Sequence, residues 1–207
     1  MIAVVDYGMG NLRSLSNALE SLGAEAVLTC SRDDLRRAER IVLPGVGAFG
    51  DAACALRERG LEDALSAEVL RERKPLLGIC LGMQLLARTS SEHGMHRGLG
   101  WIDADVVRLP SMPGIKVPHV GWNSVRFEPG DWLFRGIRPA EANFYFVHSY
   151  HMACRDPSDV VGTAENGTTF AAAVRSGNVV ATQFHPEKSQ DNGVRLLSNW
   201  LEWEPAC

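Results

Sequence analysis

Between Lys74 and Gln84 the chain runs Lys-Pro-Leu-Leu-Gly-Ile-Cys-Leu-Gly-Met-Gln: an apolar stretch, then Gly78-Ile79-Cys80-Leu81-Gly82, then a helical pattern. A sharp strand-to-helix turn needs glycine two residues before and two after its centre. Side chains there would collide, and the central residue is held in a strained backbone conformation. Such an elbow is expected to leave the Cys80 thiol exposed at its tip, at the N-terminus of a helix whose free N–H groups favour the thiolate, the form that attacks a carbonyl carbon. A buried packing cysteine flanked by two of the chain's 20 glycines would show the same five letters, so the rest of the chain has to decide.

The surrounding pattern favours the elbow. Ile2 to Asp6 is an apolar strand candidate, followed by the turn-like Tyr7-Gly8-Met9-Gly10-Asn11 and by Leu12, Leu15, Leu19 and Leu22 at helical spacing. Gly23 stops that helix, Ala26 to Thr29 suggests a second strand, Ser31 caps a short helix, and Arg40 to Leu43 gives a third strand. Helical spacing then runs through Ala52, Leu56, Leu61, Leu65 and Leu70 to the strand Leu76–Ile79 that ends at Cys80. Repeated βα units predict a three-layer α/β fold, a mostly parallel sheet with helices on both faces and functional groups at the carboxyl ends of the strands. Beyond about Arg97 the texture changes to β-branched and aromatic runs at Trp101–Leu109, Lys116–Phe127, Asn143–Tyr150, Val160–Ala164 and Val179–Phe184. These predict additional strands, partly antiparallel. A closing helix is expected from about Asp191 to Trp203, with Val194, Leu197 and Leu201 facing inward.

With 207 residues and neither repeat nor linker, the chain is expected to be one domain, 1–207. A net charge of −4 gives no basic excess for nucleic acid or anionic lipid. The N-terminus lacks the architecture of a signal peptide and no apolar run approaches membrane-spanning length, so a cytoplasmic protein is expected. Cys30, Cys54, Cys80, Cys154 and Cys207 form no C-x-x-C pair, which fits free thiols in a reducing compartment.

An elbow thiol needs a base. His185-Pro186-Glu187 follows the strand candidate Val179–Phe184, and of the six histidines His185 alone has a carboxylate two residues away at the end of a buried-looking strand. Glu187 can accept the imidazole Nδ1–H, fix the tautomer and stabilise the imidazolium formed when Cys80 gives up its proton. His-x-Glu also opens a zinc deaminase signature, but only Cys207 follows where Pro-Cys-x-x-Cys should stand, so no metal is expected. Gly45-Val46-Gly47-Ala48-Phe49-Gly50 has dinucleotide-fingerprint spacing, yet the next strand ends in Cys80 and not in a carboxylate for a ribose. Its alternatives are a tight turn or a strand end whose backbone N–H faces an oxyanion beside Cys80, with Leu81 N–H as the second donor. Lys116–Asn123 and Phe144–Tyr150 are dense in aromatics and histidines, and spacing alone does not separate core from site.

Gly78-Ile-Cys80-Leu-Gly82-Met-Gln84 with His185-Pro-Glu187 resembles the Cys-His-Glu triad of class I glutamine amidotransferases. Asp6-Tyr-Gly-Met-Gly-Asn-Leu-Arg-Ser14, Pro44-Gly-Val-Gly-Ala-Phe49, Lys116-Val-Pro-His-Val-Gly-Trp-Asn123, Tyr145-Phe-Val-His-Ser-Tyr150 and Gln183-Phe-His-Pro-Glu-Lys-Ser189 narrow the resemblance to the glutaminase subunits of imidazole glycerol phosphate synthase. It implies a flavodoxin-like fold, hydrolysis of L-glutamine to glutamate and ammonia without a cofactor, and a cyclase (synthase) subunit as heterodimer partner in histidine biosynthesis. Cys80 would be the nucleophile, His185 the general base and acid, and Glu187 the orienting carboxylate. Val46 and Leu81, with Gly47 beside them, would form the oxyanion hole once the Gly45–Val46 peptide turns toward the site. Gln84, Glu92 and the His148-Ser149-Tyr150 backbone would hold the substrate, and Asn11, Trp122, Asn123, Tyr145 and Lys188 would face the partner. An amidotransferase subunit serving another synthase, or a non-catalytic regulatory member of the fold, are the alternatives.

Overall fold

In the computed structural model, which describes residues 1–205, the elements alternate as expected through β1 (Ile2–Val5), α1 (Leu12–Ser21), β2 (Ala26–Thr29), α2 (Arg32–Arg37), β3 (Arg40–Leu43), α3 (Phe49–Glu58), α4 (Leu61–Ser66), β4 (Leu76–Ile79) and α5 (Leu81–Leu85). Gly60, at φ +65°, breaks the expected long helix into α3 and α4, and a π-helical turn, Ala67–Arg71, extends α4. The second half adds β5 (Thr89–Ser90), β6 (His96–Arg97), β7 (Ala104–Arg108), β8 (His119–Ser124), β9 (Asn143–His148), β10 (Tyr150–Cys154), β11 (Val160–Glu165), β12 (Thr169–Ser176), β13 (Val179–Thr182) and α6 (Gln190–Glu202).

The main sheet has seven strands in the order β11-β12-β13-β4-β3-β1-β2. From β2 to β13 every pairing is parallel. β12 and β11 extend the sheet antiparallel. β1, β4 and β13 are buried along their whole length, as parallel strands covered on both faces must be. One face packs α3 and α4 through Phe49, Leu56, Leu61 and Leu65, with Val106 and Met152 of the smaller sheet β10-β7-β5-β6. The other packs α1 and α6 through Leu15, Leu19, Leu196, Leu197 and Trp200.

The inner face of α6 differs from the expectation at one position. Val194 is 42% exposed, and the buried residues are Gly193, Leu196, Leu197, Asn199 and Trp200. A Cβ on Gly193 would lie 1.8 Å from the Pro186 carbonyl oxygen, so the helix touches the turn carrying His185 through a residue with no side chain. Among the described residues no helix is long and apolar enough to cross a membrane.

Candidate active site

The elbow forms where β4 meets α5. Cys80 takes φ +54°, ψ −108°, outside the usual regions for a residue with a Cβ and costing on the order of 1–3 kcal/mol. Its flanking glycines leave no room for a side chain at 82 and little at 78. A Cβ on Gly82 would lie 1.8 Å from the Leu43 carbonyl oxygen, and one on Gly78 would crowd Ala181, the Gly82 oxygen and the Met83 nitrogen at 3.0–3.1 Å. The expected exposed thiol is not found: Cys80 is only 5% exposed. It lies at the floor of a cavity of about 330 Å³ because the β9 end, Val147 to Tyr150, roofs the elbow. Cys30 and Cys54 are exposed and Cys154 half-buried; Cys207 lies outside the described residues.

His185 and Glu187 come from the turn after β13, the strand beside β4. Their side chains are 2% and 3% exposed, and Nδ1 is 2.8 Å from Oε1. That contact puts the proton on Nδ1, oriented by the carboxylate. Burial would lower the imidazole pKa, but the Cys80 sulphur and the Glu187 carboxylate outweigh it and carry it up to about 9. The ring is therefore an imidazolium at neutral pH, and its buried Nε2 has no hydrogen-bond partner among the described residues. Backbone bonds hold this turn to the roof: His185 N–H donates to Tyr145 O (2.9 Å), and Ser189 Oγ bridges Tyr145 N (3.0 Å) and His185 O (2.6 Å).

The sequence-derived substrate and oxyanion residues Val46, Gly47, Leu81, Gln84, Glu92, His148, Ser149 and Tyr150 line one cavity with Cys80, Val147 and Lys188. Leu81 N–H is not free there. It donates to Gly45 O at 3.3 Å, so the Gly45–Val46 peptide presents its carbonyl to the elbow and turns the Val46 N–H away. Tyr7, 1% exposed, donates its hydroxyl to Pro44 O at 2.7 Å and so pins the residue before this peptide. Burial, then the Cys80 charge, push the phenol pKa up, which keeps that hydroxyl a donor. One Glu92 oxygen accepts the Phe49 N–H (2.7 Å), tying the cavity wall to the start of α3.

Gln84 and the two roof histidines are joined through one carbonyl. Tyr150 O accepts from Gln84 Nε2 (2.8 Å) and faces His148 Nδ1 (2.9 Å). His148 Nε2 meets His119 Nδ1 at 3.1 Å, and His119 Nε2 meets Asn123 Nδ2 at 3.2 Å. A carbonyl only accepts, so His148 carries its proton on Nδ1 and His119 donates through Nδ1, an arrangement satisfied with both rings neutral. Burial pushes the His148 pKa down to about 3 and also lowers that of His119. The His148 and His119 side chains thus serve the roof, and of His148 only the backbone is left to meet a ligand.

Of the residues expected to face a partner, Trp122 is 49% exposed and packs edge-on against Tyr145, its register partner across the β8–β9 hairpin. Asn11 is exposed. Asn123 is engaged within the chain, its Nδ2 also donating to Glu165 O (2.8 Å). Lys188 sits at the cavity wall with no salt-bridge partner among the described residues. Sequence reasoning missed Val147, whose carbonyl is 3.9 Å from Cys80 Sγ, and Gln183, whose Nε2 is 3.8 Å away. The nearness of Gln183 to His185 in the chain was the available signal, and the apolar run it ends hid it.

A family model described as glutamine amidotransferase class-I matches residues 3–202. The chain is 49% identical to an imidazole glycerol phosphate synthase subunit, HisH 2, of Nitrobacter winogradskyi over 99% of each chain. It is 49% identical to the corresponding subunit of Methylococcus capsulatus, covering 99% of this chain and 97% of that one. Among solved structures, one described as a glutamine amidotransferase superposes with a TM-score of 0.72 at 25% identity, covering 98% of each chain. The structure of PurLQS from Thermotoga maritima gives 0.75 at 24% identity, over 97% of this chain and 96% of that one.

Proposed function

This chain belongs to the class I glutamine amidotransferase family, and within it we propose that it is the glutaminase subunit of an imidazole glycerol phosphate synthase, a single amidotransferase domain that hydrolyses L-glutamine and passes the ammonia to a cyclase subunit. The observation that carries the reading is the strained Cys80 elbow beside a buried His185–Glu187 pair. The Cys80 thiolate attacks the side-chain amide carbon of glutamine, and the carbonyl electron pair moves to oxygen. As the C–N bond breaks, His185 Nε2–H protonates the departing amide nitrogen, which leaves as ammonia, and a glutamyl thioester remains. The now neutral imidazole takes a proton from water, whose oxygen attacks the thioester, and glutamate leaves as the thiolate returns. Gln84, Glu92 and the backbone of residues 148–150 hold the amino acid, Glu92 meeting its ammonium.

The tetrahedral oxygen needs donors, and Leu81 N–H is occupied by Gly45 O. Turning the Gly45–Val46 peptide would free Leu81 N–H and bring in Val46 N–H at the same stroke. Glycine at 45 and 47 makes that rotation sterically cheap, and losing one oxyanion donor costs about 10²–10³ in turnover. The isolated chain is therefore a slow glutaminase that a docked, acceptor-loaded partner switches on through kcat. Asn11, Trp122, Tyr145 and Lys188 are our choice of partner-facing residues, with Lys188→Ala weakening the stimulation. Ammonia protonates in water and stops being a nucleophile, which is the physical reason for handing it directly to a partner. Free thiols and the biosynthetic reaction fit a cytoplasmic site of action.

The deciding experiment uses the complex with a cyclase subunit. Cys80→Ala is expected to abolish glutamine-dependent cyclisation and to leave cyclisation with added ammonium salt near normal. Loss of both activities in a complex that still assembles would refute the division of labour.

A further inference from the structure

Gln183, fully buried, follows the last residue of β13 and lies under the nucleophile with Nε2 3.8 Å from Cys80 Sγ. Which end of its amide faces the sulphur is decided by a backbone group two contacts away. Tyr150 O can only accept, so Gln84 must turn its NH2 toward it (2.8 Å). The same Gln84 nitrogen is 3.1 Å from Oε1 of Gln183, so Gln183 offers its oxygen there and its NH2 to the sulphur. Both Gln84 N–H groups are then engaged within the chain, and Oε1 of Gln84 is what remains for a ligand.

Besides the His185 ring, a further polar neighbour of Sγ is the Val147 carbonyl at 3.9 Å, which accepts and so favours the S–H form. The sulphur thus sits between a donor that stabilises the thiolate and an acceptor that stabilises the thiol. The titratable groups around it are His185 after β13 and Tyr7 after β1, with His148, Glu92 and Lys188 lining the same cavity. Burial keeps Tyr7 and His148 neutral, and of the remaining groups the His185 ring and the Gln183 amide are the ones placed against the sulphur itself.

We propose that Gln183 is a positioning residue: clamped by Gln84, it aims an N–H at Cys80 Sγ and holds the sulphur as a thiolate turned away from the Val147 carbonyl. The proposal rests on the glutaminase reading only for what the thiolate attacks; its test reads the sulphur itself. Iodoacetamide labelling of the full chain, followed at the Cys80 peptide by mass spectrometry, gives the ratio of the alkylation rate near neutral pH to that in strong base. Gln183→Met keeps the length of the side chain and removes the donor, and is expected to lower that ratio about tenfold. Gln84→Met leaves Gln183 in place but unclamped, and lowers it about two- to threefold. Thermal melting identifies folded variants, and a residue that only packs would change the melting point without moving the ratio. Ratios within about 1.5-fold of the parent in the folded variants would overturn the proposal, and should Gln183→Met not fold, Gln84→Met alone decides. Failure of the nucleophile assignment looks different: Cys80 of the unaltered chain would then label no faster than exposed Cys30.

Discussion

The two halves of the proposed catalytic apparatus are built in opposite ways. His185 and Glu187 are almost wholly buried, 2.8 Å apart, on a turn fastened by Ser189 and the Tyr145 backbone. The Pro44–Gly47 loop, to which we assign the oxyanion donors, runs from buried Pro44 and Gly45 to exposed Val46 and Gly47 at the cavity wall, and holds the Gly45–Val46 peptide with its carbonyl over Leu81 N–H. A proton relay must be exact whenever substrate arrives, so it is locked at folding. A donor group that turns over a single peptide can be withheld until it is wanted. The molecule stores readiness in one region and restraint in the other, and substitutions in the two should fail differently.

The largest effect is expected in the fixed half. Glu187→Gln keeps a hydrogen-bond acceptor for Nδ1–H but removes the charge that supports the imidazolium, so glutamine-dependent turnover should fall about 10³–10⁴-fold. The loss should be the same with and without partner, because the deficit lies in the relay and not in the switch. Equal kcat values for the variant and parent complexes would break the contrast at its root.

Gly45→Ala strikes the switch. The added Cβ would sit 2.3 Å from the Tyr7 hydroxyl and 3.2 Å from the Gly82 nitrogen, so the loop must shift and cannot turn freely. Stimulated kcat should drop about 10²–10³-fold toward the unstimulated rate, which should itself barely change. A variant that is still switched on by partner and acceptor would place the restraint elsewhere.

The pH profile sharpens the comparison. With the His185 pKa carried up to about 9 by Cys80 and Glu187 against the opposing effect of burial, stimulated kcat should hold to about pH 9 and then decline as the imidazolium is lost. The pKa is raised relative to the unfolded chain. The stability it contributes is thus complete below about pH 6.5, lost as pH rises through about 9, and worth a few kcal/mol. His148 behaves oppositely: its pKa is depressed to about 3, so its contribution is present above about 6.5 and lost on acidification. Denaturant titrations across this range should give a stability maximum near neutrality. In Glu187→Gln the alkaline limb should begin at lower pH.

How much of this could be read from the sequence follows the same division. The parallel half was legible because each βα unit carries its own punctuation: Gly23, the Ser31 cap and the Pro44 turn all sit between apolar runs. β12 was not. Its Phe170-Ala171-Ala172-Ala173-Val174 core has neither alternation nor β-branched density, and it becomes a strand because β11 and β13 flank it. The inner face of α6 was misjudged by counting hydrophobic residues, since the contact that orients the helix is Gly193 against the Pro186 carbonyl. Cys80, His185 and Glu187 could be singled out because elbow and dyad are local patterns, and the fold brings them side by side. The roof that buries the thiol was not, because Val147 reaches Cys80 only through the tertiary fold.

The smallest expected effect tests the joint between the two regions. Tyr7 is buried like His185 and Glu187, yet its hydroxyl holds Pro44 O, one peptide before the unit proposed to turn. Tyr7→Phe keeps the ring and deletes one hydrogen bond, leaving a carbonyl without its partner, so about 1–2 kcal/mol of stability should be lost. If the Tyr7 anchor fixes the near end of a rotating peptide, its loss lets the Pro44–Gly45 plane tilt as well, and the Val46 N–H meets the oxyanion less well aligned. Stimulated kcat should then fall about three- to tenfold, with KM for glutamine and the alkaline limb of the pH profile unchanged, since neither Glu92 nor His185 has moved. A rise in the unstimulated rate would mean that the hydroxyl holds the carbonyl over Leu81 and acts as a lock. A change in the pH limb would mean that the loop and the triad are one mechanical unit, and the contrast between a fixed and a movable half would have to be abandoned.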